Sequence, residues 1–141
     1  MNTPRFSVVI PIHNAEDSLI STVESVLEQS EPNFELLLLD DGSTDGSLAI
    51  MRALAAHDRR IHVRTQRNAG VSATRNLGVR LARGLFVAFL DADDVMWTAE
   101  RALFGDNPSL TKASWGNVSA VDKATGKEQK VTLTASSGLS D

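Results

Sequence analysis

Apolar and polar positions follow two rhythms along the first two thirds of the chain. Phe6-Ser7-Val8-Val9-Ile10-Pro11-Ile12 is short and rich in β-branched residues, which predicts a buried strand. Leu19, Ile20, Val23, Val26 and Leu27 then recur at helical spacing, so residues from about 17 to 29 should form an amphipathic helix. Phe34-Glu35-Leu36-Leu37-Leu38-Leu39 is apolar almost throughout, as a parallel strand covered on both faces must be. A second helix carries Leu48, Met51, Leu54 and Ala55 on its inner stripe, with Asp45 or Ser43 expected as its cap. Ile61-His62-Val63-Arg64-Thr65 alternates like a strand with one wetter face. Val71, Thr74, Leu77, Gly78 and Leu81 line a third helix, with Gly84 expected as its C′ residue. Leu85-Phe86-Val87-Ala88-Phe89-Leu90 closes the series as a fourth apolar strand.

The order β-α-β-α-β-α-β predicts an α/β fold. Its sheet is open and mostly parallel, with right-handed crossovers and helices on both faces. From Arg101 onward long apolar runs disappear. Val118 to Val121 and Lys130 to Thr134 are then expected to pair as a hairpin across Asp122-Lys123-Ala124-Thr125-Gly126. The chain thus divides into a well-specified unit over residues 1–98 and a weakly specified, irregular or hairpin tail over 99–141.

Composition narrows the functional classes. A chain of 141 residues with 42% hydrophobic and 23% charged residues has ordinary globular composition and the length of about one domain. Fourteen basic and 18 acidic residues leave a net charge of −4, which argues against a general nucleic-acid binder, since such binding rests on clustered Lys and Arg. No apolar run approaches the roughly 20 residues that span a bilayer, and residues 1–10 do not read as a signal peptide. Cysteine is absent, so there is no disulfide framework or thiolate metal site. A cytoplasmic location fits this composition.

The functional signal lies in where the polar residues fall. In an open parallel sheet, ligands bind beyond the carboxyl ends of the strands. Here the strands run into Pro11-Ile12-His13-Asn14, Asp40-Asp41-Gly42-Ser43-Thr44-Asp45, Gln66-Arg67-Asn68-Ala69-Gly70 and Asp91-Ala92-Asp93-Asp94. Asp91 and Asp93 leave the same face if their segment is extended, and two adjacent carboxylates call for a hard divalent cation. Mg²⁺ or Mn²⁺ so held keeps open positions for a diphosphate; the simpler reading has Asp93 or Asp94 capping a turn. Asp40 and Asp41 have the same two readings, as helix caps or as carboxylates facing a base or ribose. Arg75 lies one turn inside the third helix, within reach of a phosphate, or is a solvated helix arginine. His57 and His62 are assigned no role, and Trp97 and Trp115 are expected to pack.

These segments together resemble the family 2 glycosyltransferases, enzymes of the nucleotide-diphospho-sugar transferase fold. Residues 6–14 look like the family's opening strand, Leu39-Asp40-Asp41-Gly42-Ser43-Thr44-Asp45 like its second, Asn68 to Gly78 like its third signature, and Phe89 to Asp94 like its DxD element. The resemblance implies a Rossmann-like, glycosyltransferase A-type half that binds a nucleotide-sugar donor, usually UDP-linked. Asp41, with Asp40, would lie near base and ribose, and Pro11, His13, Asn14, Asn68, Arg75 and Asp91 would complete the donor site. Asp91 and Asp93 would face the diphosphate through Mn²⁺ or Mg²⁺, for sugar transfer to an acceptor hydroxyl with inversion.

In this family an acceptor half with the general base follows the DxD element. Nothing in residues 95–141 resembles it, and Asp106, Asp122 and Glu128 match no motif of the family. The chain is therefore expected to be the front of a longer pattern. The alternative reading is a non-catalytic module that binds nucleotide or a partner and is prone to self-association through an open sheet edge. Trp115 to Asp122 resembles a segment of class II sugar-phosphate aldolases and epimerases, which implies a foreign end. Phe89 to Asp93 distantly resembles the aspartyl-nucleophile phosphatases too, but those carry the motif on their first strand rather than their fourth.

Overall fold

A computed structural model of the chain describes residues 3–29, 32–93, 116–122, 124–125 and 128–133. The expected alternation is present: β1 (Phe6–Ile12), α1 (Leu19–Leu27), β2 (Phe34–Asp41), α2 (Ser47–His57), β3 (Ile61–Gln66), α3 (Val71–Leu81) and β4 (Phe86–Phe89). Two further strands follow, β5 (Gly116–Asp122) and β6 (Glu128–Leu133), joined as the expected antiparallel hairpin with Val118 opposite Val131. The sheet order is β3-β2-β1-β4-β5-β6. The first four strands are parallel, in register from Phe6 opposite Phe34 to Ile12 opposite Asp40, while β5 runs antiparallel to β4. The sheet thus runs on beyond residue 98. Asp94, Trp97, Asp106 and Trp115 lie outside the described residues, as do the side chains of Asp122 and Glu128.

Strand geometry sorts the core into two layers, because successive side chains leave opposite faces. Val8, Ile10, Ile12, Leu36 and Leu38 pack on one face against Leu19, Val23 and Val26 of α1 and Met51 of α2. Val9, Leu37, Leu39 and Val87 form the other face, covered by α3 through Val79 and Leu81 and by the adjoining Ala82. β1 and β2 are buried on both faces, which is why their sequences show no alternation. β3 is an edge strand, and its exposed His62 and Arg64 are the wetter face that the alternation predicts.

Close packing corrects two local expectations. Gly84 is not a left-handed helix terminator: α3 ends on Ala82, and among the described residues the positive-φ glycines are Gly42 and Gly70. A side chain at Gly84 would lie 2.7 Å from the backbone of Phe6 and Ser7, so the residue is small because β1 passes against it. Val71, placed on the inner stripe of α3 by its spacing, is 52% exposed. Thr74 and Gly78, expected on the same stripe, are buried as predicted.

Candidate functional site

Strand order reverses between β1 and β4. The helices after β1 and β2 lie on one face and the helix after β3 on the other, so a crevice opens beyond the carboxyl ends of β1 and β4. Two cavities occupy it. One, of about 240 Å³, is lined by Pro11, Ile12, His13, Asp41, Asn68, Gly70, Val71 and Thr74. The other, of about 300 Å³, is lined by Pro11, His13, Asn14, Ala15, Ser18, Asp91, Ala92 and Asp93. Pro11 and His13 line both, so the two form adjoining compartments.

The first compartment is organised by Asp41. Its Oδ1 accepts the Ala69 N–H at 2.7 Å and the Gln66 amide at 3.0 Å, and its Oδ2 accepts the Gly70 N–H at 3.0 Å. Burial pushes this carboxyl up, but the Ala69, Gln66 and Gly70 donors outweigh it and hold Asp41 below the ordinary carboxylate range. Its charge also sits at the positive end of α3. Gln66 donates to the Thr74 hydroxyl at 3.0 Å as well, and that hydroxyl donates to the Gly70 carbonyl at 2.8 Å. The entrance to α3 is therefore braced by a closed polar ring. Two backbone conditions make the ring possible. Gly70 adopts φ +98, and Gly42 combines φ +73 with an approach that would put a Cβ 2.8 Å from the Asn68 nitrogen.

The Asp41 carbonyl accepts from both the Asn68 amide, at 3.0 Å, and His13 Nδ1, at 2.9 Å. The carbonyl can only accept, so the contact from His13 needs a proton on Nδ1, which the Asn68 Nδ2 also approaches at 3.2 Å. Asp40 is buried; its carboxylate accepts the Ser43 N–H at 3.1 Å and the Thr65 hydroxyl at 2.8 Å. It shapes the turn after β2, lines neither cavity, and stands apart from the other expected donor residues. Asn14, left-handed at φ 53, lines the second compartment but turns its side-chain oxygen to the Thr44 N–H at 2.7 Å and the Asp45 N–H at 3.2 Å. Neither expected residue holds the cap position of α2, which is Gly46; Asp45, one residue earlier, accepts the Ser47 N–H at 2.9 Å, and the Ser43 hydroxyl accepts the Asn14 N–H.

Asp91 and Asp93 share the second compartment, though not by the extended geometry expected for them. β4 ends at Phe89, and Ala92 and Asp93 lie in a turn. That turn is pinned from α1: the Ala92 carbonyl accepts the Ser18 hydroxyl at 2.9 Å and the Thr22 hydroxyl at 2.8 Å. Ser18 has the chemistry of a helix cap but makes no cap bond, because its hydroxyl serves this anchor. Arg75 Nη2 reaches from α3 to Asp91 Oδ1 at 3.1 Å. Pro11, His13, Asn14, Asp91 and Asp93 thus meet in one compartment, and Pro11, His13, Asp41 and Asn68 in the other.

Among the described residues, no group of three or more His, Asp or Glu could hold a metal ion by itself. Asp91 and Asp93 nevertheless fit a hard cation that takes its remaining ligands from a second molecule, since both offer exposed carboxylates to one cavity. Gln66, Thr74, Ser18 and Thr22 are the residues whose part in the site the sequence does not announce. The only advance signal is a polar Thr74 on the inner stripe of a helix.

A doubly wound sheet with carboxylates at its reversal point places the chain among the Rossmann-like α/β proteins. Residues 7–98 match the model of glycosyl transferase family 2, and the chain belongs to that family. It is 45% identical over 92 residues to the putative teichuronic acid biosynthesis glycosyltransferase TuaG of Bacillus subtilis, covering 64% of this chain and 36% of TuaG. It is 43% identical over 95 residues to an uncharacterized glycosyltransferase of Haemophilus influenzae, covering 67% of this chain and 38% of that protein. The chain therefore spans well under half the length of these curated relatives. Among solved structures, it resembles S. aureus TarS 1-349 in complex with UDP-GlcNAc (TM-score 0.61, 33% identity, 64% of this chain, 27% of that one). It also resembles the mannosyltransferase PcManGT of Pyrobaculum calidifontis in complex with GDP-Man and Mn²⁺ (TM-score 0.64, 26% identity, 72% of this chain, 31% of that one). Among the described residues, no helix is long and apolar enough to cross a membrane.

Proposed function

We propose that this chain binds the donor of a glycosyl transfer reaction, a nucleotide-diphospho-sugar, with a divalent metal. The observation that carries the reading is the pair of adjoining compartments sharing Pro11 and His13, one ending at Asn68 and the other at Asp91 and Asp93. A nucleoside diphosphate has matching halves. Its base and ribose suit the first compartment, where Asn68, His13 Nε2 and the loop held by Asp41 supply polar edges. Its diphosphate suits the second. The N–H groups at the entrance to α2 are taken by Asn14, Glu16 and Asp45, and two at the entrance to α3 by Asp41, so those groups are not offered to the anion. Asp91 and Asp93 would hold Mn²⁺ or Mg²⁺, which when bound supplies charge stabilisation on the departing diphosphate. Arg75 adds a positive charge beside Asp91.

In the transfer itself an acceptor oxygen bonds to the anomeric carbon as the bond from that carbon to the phosphate oxygen breaks. The nucleoside diphosphate leaves with the electron pair. Attack opposite the leaving group inverts the anomeric centre, and a carboxylate base takes the hydroxyl proton. None of the residues assigned here is that base.

Isothermal titration of the chain with UDP and with GDP, with and without Mn²⁺, tests the reading. At least one nucleotide should bind, and more tightly with metal. Asp93→Ala should abolish the metal dependence, since even loss of an outer partner typically costs about 10–100-fold in metal affinity. Absence of binding by both nucleotides in both conditions overturns the proposal.

A further inference from the structure

Arg75 lines neither compartment of the proposed donor site; its positive charge is spent beside the second on Asp91, the carboxylate proposed to hold the metal. Nη2 donates to Oδ1 at 3.1 Å, and the two side chains are 41% and 57% exposed. Within the same guanidinium, Nε is buried and, among the described residues, has no hydrogen-bond partner. A buried N–H without an acceptor is costly and uncommon, and an incoming anionic oxygen would correct it. The ion pair itself is weak, because solvent screens charges this exposed. The arrangement is thus easily broken on the Asp91 side and unsatisfied on the Arg75 side.

We propose, resting on the donor reading, that Arg75 is a placeholder for the metal. It neutralises Asp91 while the cation is absent. A divalent cation carries twice its charge and claims the same lone pairs, so the guanidinium is released when the cation binds. Freed from Asp91, it turns its N–H groups to the diphosphate in the adjoining space, where the donor also neutralises the charge that the cation brings. Metal and nucleotide each then bind better in the other's presence, and Arg75 adds to the coupling that the metal's own bonds to the diphosphate provide. Its role is therefore distinct from that of a fixed phosphate ligand, which would raise nucleotide affinity while leaving metal affinity alone.

The test separates these by sign. Free Mn²⁺ is followed by its electron paramagnetic resonance signal as the chain is titrated, first alone and then with saturating UDP, or GDP if that is the nucleotide bound. Arg75→Met should bind Mn²⁺ alone about two- to fivefold more tightly than the unmodified chain, the range set by releasing an exposed ion pair. The same variant should bind nucleotide at least tenfold more weakly in saturating Mn²⁺, and the tightening of Mn²⁺ by nucleotide should shrink to the part that comes from the metal's own bonds to the diphosphate. Arg75→Lys keeps the charge on a group that lacks the Nε donor, so it should restore Mn²⁺ affinity to the starting value without restoring nucleotide affinity. Arg80→Met, which removes an exposed charge further along α3, should change neither. Unchanged or weaker Mn²⁺ binding by Arg75→Met overturns the inference while leaving the donor reading standing. So does equal tightening by Arg80→Met, which would reduce the effect to net charge. Failure of the unmodified chain to bind either nucleotide removes the donor reading itself.

Discussion

Replacing Asp41 by asparagine changes one charge and almost no volume, at the residue on which the first compartment is built. Three N–H donors converge on its carboxylate: Ala69 at 2.7 Å, Gly70 at 3.0 Å and the Gln66 amide at 3.0 Å. The asparagine oxygen can replace Oδ1 and keep Ala69 and Gln66, but its NH₂ group then faces the Gly70 N–H. The Gly70 bond is lost, at about 1–3 kcal/mol for a donor left unsatisfied. Gly70 is itself exposed, so water recovers part of this and the lower half of that range applies. The two retained bonds fall from charge-assisted to neutral, at roughly 0.5–1 kcal/mol each. Asp41→Asn should therefore lower unfolding stability by about 2–4 kcal/mol at pH 7 in urea denaturation, and weaken binding of whichever nucleotide the chain takes, with or without Mn²⁺, as Asn68 loses its fixed position.

The effect must also depend on pH. Asp41 titrates below its ordinary value of 3.8 in the folded chain, so its contribution is complete above that value. It is lost as pH falls through the lower, folded value. The stability gap between the two chains should be constant from about pH 7 to 5 and close below pH 4. A gap under about 0.5 kcal/mol at pH 7, or one that persists unchanged at pH 3, refutes this assignment of the three bonds.

Glu35 offers a contrast at the opposite end of the sheet, where it is buried and accepts the Ser7 hydroxyl at 2.6 Å, the Arg83 N–H at 2.7 Å and the Arg83 guanidinium at 3.2 Å. Burial raises this carboxyl, but the Arg83 N–H, Ser7 hydroxyl and Arg83 guanidinium together hold it below 4.5. Glu35→Gln should cost about 1 kcal/mol above pH 5, because Arg83 is largely in solvent and its pairing is screened. The loss should vanish as pH falls below that value, with UDP affinity unchanged; a change in affinity by titration calorimetry would contradict the separation of the two ends. Gly78→Ala should destabilise by about 1–3 kcal/mol in the same denaturation assay despite alanine's better helix propensity. Its Cβ would collide with Val9 Cγ1, and Val9 is fully buried in β1. A neutral or stabilising result would mean that α3 does not sit as closely on the sheet as described.

The order and type of the first seven elements were legible because each depends on local spacing: Val23 and Val26 four and seven residues after Leu19, Leu36 to Leu39 without a break, His62 and Arg64 between apolar neighbours. The rim position of the polar clusters was legible for the same reason, since all parallel strands end on one side. Pairings across sequence were not. Nothing local indicates that Gln66 and Thr74 brace Asp41, that Ser18 forgoes its cap to hold Ala92, or that Asn14 closes the turn before α2. Nor could spacing separate Asp40 from Asp41. Adjacent residues of β2 leave opposite faces, so one carboxylate turns to Thr65 and Ser43 and the other to the entrance of α3. Gly84 and Val71 were misplaced because a helix boundary and a burial depend on what packs alongside. Residue order by itself determined which elements form and which ends carry the chemistry. Which side chains share a compartment was decided only when the sheet reversed direction between β1 and β4, since that geometry sets distances no periodicity encodes.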